Sequence, residues 1–263
     1  MQAVILAAGQ GTRLRPLTDH RPKCLVEVQG KPLLQYQLEA LCEAGVRECI
    51  IVVGHRAKQV RHTFGMRFRN LSITYVENEI YDQTNNSYSL WLARREITED
   101  ILLLEGDVLF EPRLLTDLIA LPYENTAVVD RFQHFMNGTV ILADGNVANA
   151  MVTKRDQPIG FDYGSVLKTV NIYRFSYRTM QDDLVPALGD FVAHGQTNDY
   201  YEVAICHAIA AGAMRVHVMR TGARAWTEID TQEDLADAER MHFWPAFAPR
   251  THAGTSLARS SRA

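Results

Sequence analysis

The stretch MQAVILAAGQGTRLRPLTDHRPKCLVEV, residues 1–28, is the one whose reading settles the fold. It opens with an unbroken apolar run, Ala3 to Ala8, short enough for a buried strand and too short to span a membrane. Gly9 and Gly11 interrupt the run. Backbone N–H groups in such a turn can point outward together, and glycine lets a phosphate approach with no Cβ in the way. Arg13, Arg15 and Lys23 then surround the turn with positive charge. A strand that feeds straight into this turn predicts a polyphosphate cradle.

Two familiar cradles are excluded by single residues. A P-loop closes with Gly-Lys-Ser/Thr, which this stretch lacks. A dinucleotide fingerprint needs a third glycine at position 14, where Leu14 stands. What remains is Leu-Ala-Ala-Gly-x-Gly-Thr-Arg-Leu over residues 6–14, then Pro16-Leu17-Thr18 and Arg21-Pro22-Lys23. This combination resembles the nucleotidyltransferase family that couples an NTP to a sugar phosphate or a related phosphate. The resemblance implies that Leu6, Ala7, Ala8, Gly9, Gly11 and Thr12 wrap the nucleotide. Arg13 would neutralise the leaving phosphates, and Lys23 would reach the α-phosphate or the attacking one.

Composition narrows the class further. A chain of 263 residues is long enough for one substantial α/β domain. A net charge of −4 argues against broad nucleic-acid binding, which needs a basic surface. Cys24, Cys42, Cys49 and Cys206 lack metal-type CxxC spacing and read as free thiols of a reducing, cytoplasmic protein. No basic region precedes the first apolar run, so no signal peptide is expected, and no membrane partner.

Strands and helices alternate through the first half. A helix is expected over Lys31–Ala44, a strand over Glu48–Gly54, a helix around Lys58–Phe64 and a strand at Ile73–Val76. Such alternation predicts a parallel sheet covered on both faces, with ligands at the carboxyl ends of its strands. The resemblance gives the same class: α/β, a single Rossmann-like (GT-A-like) domain over residues 1–244, with a mixed, mostly parallel central sheet and helices on both faces. The tail from Pro245, rich in Pro, Ala, Ser and Arg, is expected to be disordered.

Three later segments carry chemistry. Thr84-Asn85-Asn86-Ser87 precedes a helical pattern and supplies an N-cap; two adjacent amides could also read a base or ribose edge. The Asn-Asn-x-Tyr-Ser-Leu form is similar to that of the cytidylyltransferase branch acting on phosphocholine and phosphonates, which implies nucleotide-binding roles for Asn85, Asn86 and Ser87. A buried strand, Ile101–Phe110, runs into Glu105-Gly106-Asp107. Magnesium prefers one or two carboxylates with phosphate oxygens and water. Asp107 is therefore a candidate metal ligand, as the family's Gly-Asp aspartate is, while Glu105 and Gly106 are weaker nucleotide-side candidates and Glu105 is expected to face another way. A short strand, Ala225–Asp230, ends in acids, and the resemblance implies Asp230 as the second Mg2+ ligand, with Glu228 less favoured.

The acceptor end is read from Lys168, Tyr201, Glu202 and Trp226. Lys168 lies on an alternating strand, Lys168–Phe175, and would meet an acceptor phosphate or simply face solvent. Glu202 among tyrosines would hold a cationic amine, or would be an acid favoured at a helix N-terminus. The resulting expectation is CMP transfer from CTP, with Mg2+, to phosphocholine or 2-aminoethylphosphonate. A sugar-1-phosphate enzyme using dTTP, UTP or GTP is the alternative, and an inactive nucleotide-binding module the next. A homodimer is the assembly considered.

Overall fold

A computed structural model describes residues 1–241, so the domain end at residue 244 and the expected disorder from Pro245 fall outside the described residues. The strand expected first is β1 (Gln2–Ala7), and every one of its residues is buried. Alternation sends Ala3, Ile5 and Ala7 into one core and Val4 and Leu6 into the other. β1 pairs in parallel with β4 (Glu48–Val53) and β7 (Ile101–Glu105), and β4 pairs in parallel with β6 (Leu71–Glu77). Between them stand the small hairpin β2 (Glu27–Val28) and β3 (Lys31–Pro32), and the edge strand β5 (Arg67–Phe68). This parallel block is the alternating pattern of the first half.

The second half extends the same sheet with a different hand of pairing. Strands β9 (Thr126–Arg131), β10 (Val140–Asp144), β11 (Val147–Val152), β12 (Leu167–Phe175) and β13 (His217–Arg220) complete a ten-stranded sheet ordered β10-β11-β13-β9-β12-β7-β1-β4-β6-β5. β12 runs antiparallel to both β7 and β9, so the sheet is mixed. Helices α1 (Leu33–Glu43), α2 (Ala57–Phe64) and α4 (Arg113–Ala120) pack on the Ile5 face. Helices α3 (Asn86–Ala93), α6 (Val185–Ala193) and α7 (Tyr201–Ala210) pack on the Val4 face, with the short turn α5 (Tyr177–Thr179) leading into α6. The mixed sheet with helices on both faces is as expected, but it is not mostly parallel: β1–β4, β1–β7, β4–β6 and β9–β13 pair in parallel, and the other six pairings are antiparallel because the second half returns through hairpin-like neighbours.

A second expectation is corrected by the structure. The apolar run Ile101–Phe110 is two strands, because the chain leaves the sheet at Gly106 and Asp107. β8 (Val108–Phe110) pairs instead with β14 (Trp226–Glu228), antiparallel, with Val108 opposite Glu228. The break is anchored by Gln37, fully buried on α1, whose amide donates to the carbonyls of Glu105 at 2.7 Å and Val108 at 2.8 Å. Asp107 and Asp230 therefore meet through an antiparallel ribbon, and not because two parallel strands end at one edge. The Ile229 N–H donates to the Asp107 carbonyl at 3.0 Å and closes that ribbon. Beyond it, α8 (Gln232–Ala238) opens with a reciprocal capping box between Thr231 and Asp234.

Candidate active site

The carboxyl ends of β1 and β7 border a cleft of about 650 Å3. Its floor is the glycine turn. Gly11 adopts a left-handed backbone (φ 65°), and a Cβ there would sit 2.9 Å from the Cβ of Lys23. Thr18 Oγ1 donates to the Gly11 carbonyl at 2.7 Å, which ties the turn to the segment after it. A Cβ on Gly9 would meet nothing within 4 Å, so that glycine leaves space facing the cleft. Gly54, at the end of β4, is required for another reason: a Cβ would lie 2.7 Å from Tyr81 and 2.8 Å from the Ala8 carbonyl. Tyr81 can stand against the floor only because Gly54 lacks a side chain.

Charge is concentrated at one point of this floor. The Lys23 ammonium donates to Asp107 Oδ2 at 2.5 Å and to Asp230 Oδ1 at 2.6 Å, and Arg13 reaches Asp230 at 2.9 Å. Burial works against the Lys23 ammonium, but the two aspartates outweigh it and hold its pKa above the ordinary lysine range. Burial likewise raises Asp230, yet Lys23 and Arg13 bring it below the usual carboxylate value. Asp107 Oδ1 is buried with no hydrogen-bond partner. A buried carboxylate oxygen left open costs free energy unless a ligand completes it.

The far wall is acidic. Asn86 Nδ2 donates to Glu105 Oε1 at 3.0 Å and lies 3.5 Å from Glu202 Oε2, while the Asn86 carbonyl oxygen accepts from the Tyr201 N–H at 2.9 Å. Tyr201 Oη donates to Glu105 Oε1 at 3.1 Å. Burial and the neighbouring acids hold Glu105 well above its ordinary pKa, and burial also raises Glu202 against the opposing pull of Asn86 and Lys168. Beside them, Lys168 is 2% exposed and donates to Glu228 Oε1 at 2.9 Å and to the Thr169 carbonyl at 2.6 Å. Asn171 donates to the same Glu228 oxygen at 2.8 Å. Its backbone is left-handed (φ 59°), and it sits where the register of β12 against β9 slips, which turns its amide into the cleft. At the rim Arg155 pairs with Asp199.

The structure brings most of the candidate residues together. Leu6, Ala7, Ala8, Gly9, Gly11, Thr12, Arg13, Lys23, Asn85, Asn86, Glu105, Gly106, Asp107, Lys168, Glu202 and Asp230 all border the cleft, and so does Glu228. Glu105 thus shares the cleft with Asp107, contrary to the expectation that it faces elsewhere, because Gly106 breaks the alternation. Asn85 caps α3, its side chain accepting from the Asn86 N–H at 2.8 Å. Three candidates do not reach the wall. Ser87 is buried and donates to the Asp199 carbonyl at 2.6 Å. Tyr201 is buried against Tyr173. Trp226 donates its indole N–H to Asp130 at 2.6 Å and packs into the Ile5-side core. Lys168 is not the solvated strand lysine that alternation allowed.

Sequence reasoning missed Gln37, Gly54, Asn171 and Arg155. Only Asn171 left a local signal, an asparagine inside the β-branched run KTVNIYRF, where strand propensity disfavours it. The others act through partners distant in sequence.

Residues 3–157 match the MobA-like NTP transferase domain. The chain belongs to this family. Among curated relatives, it is 36% identical over 240 residues to CMP-5'-(3-aminopropyl)phosphonate synthase of Streptomyces rubellomurinus, covering 91% of this chain and 38% of that protein. It is 40% identical over 126 residues to choline-phosphate cytidylyltransferase of Streptococcus pneumoniae, covering 47% of this chain and 52% of that one. The chain therefore matches about half or less of the length of these two relatives. The solved structure of the CTP:phosphocholine cytidylyltransferase from Streptococcus pneumoniae superposes with a TM-score of 0.73 at 25% identity, over 90% of this chain and 97% of that one.

Proposed function

We propose that this protein transfers CMP from CTP to a small phosphate or phosphonate that carries an amine, releasing pyrophosphate. The observation that carries the reading is the Lys23 ammonium held between Asp107 and Asp230, beneath a glycine turn and opposite a wall of buried carboxylates. The two named relatives, one a CMP-phosphonate synthase and one a choline-phosphate cytidylyltransferase, support the choice of base and acceptor.

In the reaction an acceptor oxygen forms a bond to the α-phosphorus while the bond from that phosphorus to the bridging oxygen of the β-phosphate breaks. Such a transfer needs positioning and charge neutralisation more than covalent help. Backbone N–H groups of Gly9 to Thr12 receive the phosphates, and Arg13 offsets charge building on the leaving pyrophosphate. Lys23 holds the α-phosphate or the attacking oxygen. Asn85 and Asn86 border the same cleft.

The residues fit a magnesium ion. Asp107 presents a buried, unpartnered carboxylate oxygen close to Asp230, and these hard oxygen donors suit Mg2+. Among the described residues no group of three or more His, Cys, Asp or Glu is arranged as a metal site. Asp107 and Asp230 would hold the ion, which when bound offsets negative charge on the phosphates. No described helix is long and apolar enough to cross a membrane, and we place the reaction in the cytoplasm.

The test is pyrophosphate release with Mg2+ across the common NTPs and three acceptors: phosphocholine, 2-aminoethylphosphonate and glucose 1-phosphate. Release with CTP and an amine-bearing acceptor is expected. Release only with glucose 1-phosphate and another NTP would overturn the substrate assignment, and no release with any pair would overturn the catalytic reading.

A further inference from the structure

The acidic wall gathers three carboxyl groups, Glu105, Glu202 and Glu228, around a single ammonium, that of Lys168. Glu228 has Lys168 at 2.9 Å. Glu105 and Glu202 have only neutral hydrogen-bond partners, the Asn86 amide and the Tyr201 hydroxyl, and Lys168, already paired with Glu228, is the one cation that acts on Glu202. Glu202 is 5% exposed. Buried carboxylates without a counter-ion are costly, and a bound cation removes that cost.

The kind of cation follows from what else faces the cleft. A quaternary ammonium has no N–H to donate and is held by aromatic ring faces. A primary ammonium has three N–H donors and needs acceptors. Here the ring faces are withheld. Tyr201 is 1% exposed and edge-on to Tyr173, and Lys168 lies 5.9 Å over the ring of Trp226, whose indole N–H is taken by Asp130. Gly138 borders the cleft beside Lys168 and supplies no ring. The aromatic residues that do border it are Tyr81, on the glycine-turn side, and Tyr200, 48% exposed at the rim. Carboxylate oxygens are plentiful, and among the described residues no aromatic cage surrounds them.

Resting on the transferase reading above, we propose that Glu105 and Glu202 are the specificity-determining residues for the acceptor, receiving a primary ammonium between them and discriminating against a trimethylammonium group. The substrate class is then an aminoalkyl phosphonate or phosphate, and Glu105 belongs to the acceptor and not to the nucleotide. The amine itself takes no part in the bond change; it fixes where the phosphonate oxygen lies relative to the α-phosphorus.

The experiment compares, on the full-length protein with CTP and Mg2+, 2-aminoethylphosphonate with its N,N,N-trimethyl analogue, which leaves the reacting group unchanged. kcat/KM is expected to favour the primary amine by about 100-fold or more, since a site built to accept N–H donors rejects an analogue without them. Glu202→Gln should lower kcat/KM for the primary amine by about 10-fold or more and narrow the ratio, and Glu202→Asp should restore part of it. The comparison on the unmodified protein stands even where a variant folds poorly. Equal or better use of the trimethyl analogue overturns this inference and leaves CMP transfer intact. Use of neither amine, with turnover of glucose 1-phosphate instead, overturns the amine-bearing acceptor and this inference with it, and turnover of no acceptor overturns the transferase reading as well.

Discussion

Lys168→Met offers the clearest energetic test of the site. Lys168 is almost wholly buried, and its ammonium is the cationic partner of Glu228, whose side chain is 24% exposed. Removing one member of a buried pair leaves the other charge uncompensated and costs about 3–5 kcal/mol. Partial exposure of Glu228, and the Asn171 amide that remains bonded to it, place the expected loss near the lower end, about 3 kcal/mol at pH 8. For a chain of this size that corresponds to roughly 6–12 °C in Tm. Burial already raises the Glu228 pKa, and Lys168 is the group that restrains the rise. In the variant the restraint is gone, so the carboxyl takes up a proton at higher pH in the folded state than in the unfolded one. A group with a raised folded pKa stabilises below its unfolded pKa and loses that contribution as pH rises. The gap between variant and parent should therefore be small near pH 5 and full at pH 8. Urea titrations of both proteins across this range measure it, and Glu228→Gln added to Lys168→Met should recover most of the loss. A pH-independent gap, or one below about 1 kcal/mol at pH 8, would refute the charge argument.

Further outcomes follow from the floor of the cleft. Asp107→Asn should lower turnover at saturating Mg2+ by about 100-fold or more while circular dichroism stays unchanged; near-parent turnover would remove Asp107 from the metal assignment. Lys23→Ala should depress kcat more than it weakens CTP binding in calorimetry, and the reverse split would assign Lys23 to binding alone. The same variant removes the ammonium from both aspartates and leaves only Arg13 on Asp230, so Mn2+ without nucleotide should bind it more tightly than the parent by electron paramagnetic resonance. Gly54→Ala forces a Cβ to within 2.8 Å of the Ala8 carbonyl and should cost about 1–3 kcal/mol in urea titration, with weaker CTP binding; an unchanged midpoint would mean the turn gives way freely.

How much of this was legible beforehand differs by the range of the interaction. The β1 strand, its glycine turn and the parallel block depend on residues within one turn or one strand of each other, and periodicity exposes them. The split at Gly106 does not show in ILLLEGDVLF, because β8 is as apolar as β7; it is set by Gln37, which reaches both sides of the break from α1. Ser87, Tyr201 and Trp226 carried the right side-chain chemistry, yet their hydrogen bonds point them into the protein. Asn171 reaches the cleft only through a register slip between β9 and β12. Side-chain direction at a bulge or a strand break is a tertiary property, and composition does not carry it.

The break at Gly106 has a consequence for how the two halves of the cleft stay matched. The Gly106 N–H donates to the Leu6 carbonyl at 2.9 Å, and a Cβ there would press to 3.0 Å from that carbonyl and from Ala7. The acid facing the acceptor, the acid of the charged floor and the start of the glycine turn are thus welded into one piece, with a single residue between the two acids. That residue works as a ruler. Insertions elsewhere around the cleft can reshape either pocket, but a change in length here would throw both out of register at once.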